Sequence, residues 1–330
     1  MPEALPEAAR RICEEIRRRR RFVLSSHARP DGDSIGSQLA LAYALRHLGK
    51  EVRIVNSDPP PPHYFDFPGV RDIEIAARVE GDFDAAIVLE CSELQRTGVA
   101  GLERYFLINI DHHVGNVLYG ALNWWDVTAA ACGEMVFELI AGLGVPLTRE
   151  IATHIYLAIL TDTGSFHHSN ITARTFEICR EVAAAGVDPA EMARRVYDSN
   201  SYGKLKLIGA LLDTMELEDE GRLAVLRLDH GMLAASGSTL NDTEGLINLP
   251  LTAKEIQAVA FFKALEPGEI RVSLRSKDDI DVRAIAVRHG GGGHRNAAGF
   301  TVPGRLEEVR GPIVREVVEA IAAARRGRQE

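Results

Sequence analysis

The chain has 330 residues, 46% of them hydrophobic and 26% charged, which excludes a disulfide-stapled miniature, extensive disorder, collagen and coiled coil, and leaves room for two domains. The 38 Lys and Arg against 47 Asp and Glu give a formal charge of −9, which argues against a protein that coats long nucleic acid by charge alone. Cys13, Cys91, Cys132 and Cys179 form no CxxC pair and no zinc spacing, so reduced thiols are expected. With no apolar signal region and no run of membrane-spanning length, the expectation is a cytoplasmic protein without a membrane partner.

An amphipathic stretch at residues 4–16 precedes the run RFVLS, Arg21–Ser25, which reads as a buried strand ending in a polar loop at 27–33. A helix follows, N-capped by Asp33 or Ser34, with Ile35, Leu39, Ala42, Leu45 and Leu48 at helical spacing until Gly49. Short apolar runs at 52–55, 85–89 and 105–110 alternate with helical or irregular segments, the pattern of a parallel sheet covered by helices. Residues 132–199 read as mostly helical. A helical stretch at 202–212 then leads to a hairpin turning at 219–221, strands at 258–262 and 270–274, a helix at 282–288, glycines at 290–293 and a closing helix at 307–325. The expected organisation is an α/β parallel-sheet domain over 1–199, a helical linker over 200–216 and a smaller α/β domain over 217–330. By count, residues 221–330 carry +2 and the remainder −11.

Metal-ligand side chains collect where apolar runs end. His27, Asp31 and Asp33 follow the first strand, with Gly32 expected to free the backbone so that the carboxylates turn inward. Glu90 ends the run 85–89, Asp111-His112-His113 ends 105–110, and Asp162 follows 155–160. Helix capping explains any one of these, but hardly four together. Oxygen and nitrogen donors without sulfur suit divalent manganese best, with magnesium, cobalt or zinc less favoured. Two such ions about 3.5–4 Å apart would clamp the attacking and leaving oxygens of a displacement at phosphorus.

The segments HARPDGDSIGS, IVLEC, NIDHH and LTDTGSF, in this order, resemble the four motifs of the DHH phosphoesterase superfamily. GGGGHRNAAGF at 290–300, with NDTEGLIN at 241–248 and RSK at 275–277, resembles its associated C-terminal substrate domain. The compact layout is most similar to the bacterial bifunctional nanoRNase and 3′-phosphoadenosine 5′-phosphate (pAp) phosphatase group, rather than to RecJ exonucleases. The resemblance implies that His27 and Asp31 hold one metal and Asp33, His112 and Asp162 the other, with Glu90 between them. It further implies that Asp111 orients the neighbouring, ligating histidine, and that His113 faces the scissile phosphate, either stabilising the developing charge or protonating the leaving oxygen. Glu90 departs from the aspartate usual at its position, and His167-His168 stand where relatives often carry a basic or aromatic residue.

In the second half, Gly291, Gly292 and Gly293 with His294, Arg295 and Asn296 allow close backbone approach to an anion. Arg271, Arg275 and Lys277 alternate along a strand, which favours phosphate holding over a flexible hairpin tip. The arginines at 17–21 read as the solvated end of the first helix, and Trp124-Trp125 as a cover for the sheet or an interface. The expected activity is manganese-dependent hydrolysis of very short RNA to nucleoside 5′-monophosphates, with removal of the 3′-phosphate of pAp, in a cleft between the domains. The alternatives are a phosphodiesterase for cyclic dinucleotides or their linear products, and a nucleotide sensor that has lost catalysis. Long nucleic acid is not expected as a stable partner, and a homodimer is left open.

Overall fold

The computed structural model describes residues 5–198, 200–243 and 245–326, and only the backbone of His294. Residues 1–4, Ser199, Glu244 and the His294 side chain, which figure in the expectations above, lie outside the described set. The chain divides into two compact units, Met1–Ser199 and Asn200–Glu330. No helix among the described residues is long and apolar enough to cross a membrane.

The first unit runs α1 (Glu7–Arg18), β1 (Arg21–Ser25), α2 (Gly32–His47), β2 (Glu51–Asn56), β3 (Glu74–Ile75), β4 (Ala85–Leu89), β5 (Phe106–Asp111), β6 (Leu122–Trp125), α3 (Cys132–Leu143), α4 (Arg149–Asp162), α5 (Ala173–Ala184) and α6 (Pro189–Tyr197). Its sheet has the order β3-β2-β1-β4-β5-β6, parallel throughout. One face, with Phe22, Leu24, Ile87 and Ile110, packs against apolar side chains of α1 to α4. The other face, with Val23, Val55, Ala86 and Val88, is covered by Val79, Cys91, Val99 and Leu102 from irregular segments. The expected helical cover therefore holds for one face, because residues 76–105 are too interrupted to propagate a helix between β3 and β5. The arginine run is likewise only half helical. Arg17 and Arg18 close α1, whereas Arg19 lies over the Phe106 ring at 4.0 Å and Arg21 pairs with Asp82 at 2.8 Å.

Helix α2 is buried on nearly every side, and glycines set its distance from α4. A Cβ on Gly36 would lie 2.4 Å from the His154 carbonyl oxygen, and one on Gly32 would lie 2.4 Å from the Thr161 side chain. Gly32 is thus explained by close helix approach rather than by the backbone freedom read from the sequence. The approach sets Asp33, in the first turn of α2, against the α4 terminus that carries Asp162.

The second unit comprises α7 (Tyr202–Asp213), β7 (Glu216–Glu218), β8 (Leu223–Asp229), α8 (His230–Ser236), β9 (Ala258–Glu266), β10 (Glu269–Ser276), α9 (Arg283–Arg288), β11 (Gly292–His294), β12 (Ala297–Pro303) and α10 (Leu306–Arg326). Its sheet order is β11-β12-β10-β9-β8-β7. All pairs are antiparallel except β8 with β9. The β7–β8 hairpin turns through Asp219, Glu220 and Gly221, all at positive φ. Helix α7 is not a bare connector, since Leu207 and Leu211 pack with Ala224, Leu226 and Val259 on one face of the sheet. Apolar residues of α9 and α10 fill the other face.

Gly36→Ala should cost about 3 kcal/mol or more, because a backbone carbonyl cannot yield as a side chain can. The expected readout is a large fall in thermal midpoint. A second test concerns His154, fully buried, with Nε2 donating to the Pro68 carbonyl at 2.8 Å. Burial pulls its pKa from 6.5 down to about 4, so below pH 6.5 the unfolded chain takes up a proton that the folded chain refuses. Its contribution is complete above pH 6.5 and declines as the pH falls toward 4, by on the order of 3 kcal/mol. Thermal melts should show a steeper acid-side fall in the wild type than in His154→Gln.

Candidate metal centre and active site

Strands β1 and β4 are neighbours, and the chain order runs outward in opposite directions from them. Such a switch point opens a crevice at the carboxyl ends of the strands. His27 and Asp31 follow β1, Glu90 follows β4, and Asp111 ends β5 just before His112 and His113. Asp162 is the last residue of a helix, α4, and not of a strand. Among the described residues, three sets of donor atoms, each within 4.8 Å of one another, result: Asp33, Glu90, His112 and Asp162; His27, Asp31 and Glu90; and Glu90, His112 and His113. Glu90 belongs to all three.

His112, His27, Asp31 and Asp33 are each fixed by hydrogen bonds outside the donor sets. His112 Nδ1 lies 3.0 Å from the Ala129 carbonyl, which can only accept, so this nitrogen carries the proton. Nε2 then faces Glu90 at 3.4 Å, Asp162 at 3.5 Å and Asp33 at 3.7 Å. His27 Nδ1 similarly donates to the Ala28 carbonyl at 2.8 Å, and its Nε2 meets the Ser34 hydroxyl at 2.8 Å. Asp31 caps α2 by accepting from Ser34 N with Oδ1, while Oδ2 lies 3.7 Å from His27. Asp33 accepts from the amides of Cys132 and Gly133, at the N-terminus of α3, and from the Ser37 hydroxyl.

Glu90 is the exception. It is 0% exposed, it has a left-handed φ of 58°, and neither carboxylate oxygen has a hydrogen bond among the described residues. A buried carboxylate without a hydrogen bond is costly even with the imidazoles of His112 and His113 at 3.4 Å, and so is a positive φ on a side chain of this size. The surrounding charges respond to this crowding. Burial, with the carboxylates of Glu90 and Asp162, holds Asp33 well above the usual range. Burial also raises Asp162 to about 6. Burial alone would lower His112, but Glu90, Asp33 and Asp162 together raise it to about 11.

Asp111 does not serve the ligating ring expected from the sequence. Its Oδ1 accepts from His113 Nδ1 at 2.9 Å, and its Oδ2 from Asn116 at 2.5 Å. The hydrogen bond to Asp111 is the main cause that raises the His113 pKa. His112 is instead oriented by the Ala129 carbonyl, because successive side chains at the strand end diverge.

The family model described as the DHH family, N-terminal domain, matches residues 21–159, and that of the DHHA1 domain matches residues 222–324. The chain is 35% identical over 285 residues to the bifunctional oligoribonuclease and PAP phosphatase NrnA of Thermus thermophilus, spanning 86% of this chain and 84% of that one. The chain belongs to the DHH family. The Bacillus subtilis protein of the same name is 28% identical over 288 residues, covering 85% of this chain and 89% of its own. Among solved structures, an exopolyphosphatase-related protein from Bacteroides fragilis is 26% identical, covers 97% and 98% of the two chains, and superposes with a TM-score of 0.86. RecJ of Thermus thermophilus, solved with Mn2+, shares the fold at 17% identity and a TM-score of 0.51, covering 98% of this chain and 56% of that one.

Behind this DHH-family cluster stands a support that sequence motifs did not reveal. Asn170 Nδ2 donates to the carbonyls of Ala130 at 2.9 Å and Asp162 at 3.3 Å. Arg174 faces Asp126 at 3.1 Å, Glu138 at 2.8 Å and Glu134 at 3.7 Å. These contacts bracket residues 126–134, the segment whose backbone holds His112 and Asp33. Backbone donors and acceptors leave no trace in side-chain spacing, and an arginine among acids resembles any surface pair. His167 and His168 are exposed, with His168 Nδ1 3.2 Å from the Asp162 carbonyl.

In the second unit the glycine run is an edge strand: Gly292 and Gly293 pair with Gly299 and Ala298. A Cβ on Gly291 would lie 2.2 Å from the Gly299 carbonyl oxygen. Asn296 spends its amide on Ser276 Oγ and on the carbonyls of Asp278 and Ile280. Lys277 lies beyond the end of β10, outside the alternation expected of it, and donates to the Ala253 carbonyl at 2.8 Å. Arg271 and Arg275 do share a face of β10. Arg295 stays largely exposed beside the Asp279 carbonyl.

Glu90→Gln should raise the thermal midpoint of the metal-free protein, since it removes one of the crowded carboxyl groups from a dry site. The same variant should lose the stabilisation that added Mn2+ gives the wild type. Melting curves with and without Mn2+ check both halves.

Proposed function

We propose that the chain is a metal-dependent phosphoesterase that hydrolyses very short RNA to nucleoside 5′-monophosphates and removes the 3′-phosphate of pAp. The observation that carries this reading is Glu90, buried without a hydrogen bond and common to every donor set. Oxygen and imidazole donors with no thiolate fit divalent cations, with manganese favoured. On this reading His27 and Asp31 hold one ion, Asp33, His112 and Asp162 hold the second, and Glu90 is shared. Bound there, such ions supply positive charge to phosphoryl oxygens and lower the pKa of a water.

The remaining roles belong to the chain. His113, whose proton-bearing form is favoured by its hydrogen bond to Asp111, donates a proton to the leaving oxygen. Asp111 fixes that ring, and Asn116 fixes Asp111. In the second unit, Arg275, Arg295 and the backbone of Gly291, Gly292 and Gly293 hold the nucleotide. Lys277 and Asn296 shape that surface through the carbonyls they bind. The names of the Thermus and Bacillus relatives support the choice of short RNA and pAp.

Purified protein with Mn2+, given pApA, a long RNA, pAp and cyclic di-AMP, should convert pApA and pAp to AMP. The long RNA should react slowly, and cyclic di-AMP should resist. Chelation should abolish turnover and Mn2+ restore it, while Asp33→Ala should lower kcat by at least about 100-fold, the scale for a lost catalytic group. Inertness toward both pApA and pAp would overturn the reading, and preferential cleavage of cyclic di-AMP would replace it with a cyclic dinucleotide phosphodiesterase.

A further inference from the structure

The two tryptophans of the chain are adjacent in sequence, and β6 sends them to opposite faces of the sheet. Trp124 is 3% exposed within the helix-side core, whereas Trp125 is 42% exposed. Trp125 stands in register with Asp111 on the neighbouring strand. Side chains paired in register lie beside one another on one face, so the indole flanks the carboxylate that holds His113.

Its polar edge is also committed to the site. Nε1 donates to the His113 carbonyl at 2.8 Å, and the His113 ring lies 3.4 Å from Glu90. Trp125 is therefore anchored by its one donor while much of its ring faces solvent. Val114 and Val127, close in sequence to His113 and Trp125, are exposed as well, at 89% and 50%. An aromatic face fixed at one edge and open elsewhere is suited to stacking, and every nucleobase offers a matching surface.

We propose that Trp125 is the base-binding surface of this active site, taking by stacking the nucleobase of the nucleotide whose phosphate meets the Glu90–His113 cluster. The inference rests on the phosphoesterase reading above and adds to it the group that recognises the base. A nonionic contact fits the setting, because residues 1–220 carry a net charge of −11 and offer a polyanion little attraction of their own. Stacking is also tolerant of sequence, as an enzyme acting on short RNA of any composition requires.

Tryptophan fluorescence with Mg2+ present tests this without turnover. AMP should quench the emission of the wild type saturably, and ribose 5-phosphate, which has the phosphate but no base, should not. Trp125→Phe, whose remaining indole is the buried Trp124, should lose the quenching. In kinetics, Trp125→Ala should raise KM for pApA roughly 5- to 100-fold, the span of one stacked base, with a smaller effect on kcat, and Trp125→Phe should fall between it and the wild type. Thermal melts of both variants confirm folding.

Absence of quenching by AMP, or equal quenching by ribose 5-phosphate, would overturn the proposal. So would an equal loss of kcat in both variants with KM unchanged, which would make the indole N–H a positioning group for His113. A concentration-dependent dimer dissolved by Trp125→Ala, without any effect of AMP, would assign the face to a second copy of the chain. Quenching by AMP without hydrolysis of pApA would defeat the nuclease reading and leave the base surface standing, whereas hydrolysis without quenching would defeat the base surface alone.

Discussion

The crowding of carboxyl groups around Glu90 in a dry crevice is the constraint to which the first unit answers. Asp33 and Asp162 approach the same imidazole as Glu90, and each carboxylate brought out of water raises the cost of the next. A loosely packed fold would relieve that repulsion by moving apart. Here it cannot, because Asp33 and Asp162 ride on two helices locked at a glycine contact, and Glu90 ends a fully buried strand. The core stores the strain that makes the site receptive to cations, which is the common relation between a rigid scaffold and a functional site that is locally unfavourable.

The two histidines of the triplet show how one turn of chain can support opposite chemistry. A carbonyl partner on His112 Nδ1 keeps a proton on that nitrogen, so Nε2, held protonated by the surrounding carboxylates while no cation is bound, is the position that can exchange its proton for a cation. A carboxylate partner on Nδ1 stabilises the charged form of His113 and suits it to give up a proton. The difference arises from divergence at the end of β5. One ring turns toward the loop that precedes α3, and the other returns over the strand to its own neighbour, Asp111. Residue type alone does not distinguish them.

What the sequence made legible was the periodic and the clustered. Apolar runs of five or six residues located β1, β4 and β5, and acids and imidazoles at their ends located the donor set. It was less informative wherever a role depends on backbone or on approach. Gly32 reads as a flexible joint, but its spacing to Thr161 shows a packing requirement. The glycine run reads as backbone open to an anion, and its spacing does not show that β12 recruits Gly292 and Gly293 as an edge strand. Asp111 reads as a support for a ligand, because two adjacent histidines are indistinguishable until their rings are placed. Asn170 and Arg174 lie in no motif, since their targets are carbonyls and acids gathered from distant positions. The tryptophan pair reads as one feature, and only strand alternation separates its buried member from its exposed one.

Charge distribution gives these pieces a common logic. An acidic unit repels phosphate, so on the proposed reading affinity must come from bound cations at the reacting centre, from nonionic stacking beside it, and from cationic groups elsewhere in the chain. The second unit supplies few of the last. Residues 271–300 sum to only +3 by count, and Lys277, one of the contributing cations, is tied to a backbone carbonyl. Arg275 is half-buried, and burial lowers its pKa, so a phosphate that partnered it would replace solvation the guanidinium has already lost. A ligand with one or two phosphates can satisfy such a surface, whereas a long polyanion would gain few contacts for each further charge. The same scarcity of cations that argues against coating long nucleic acid therefore favours short ligands.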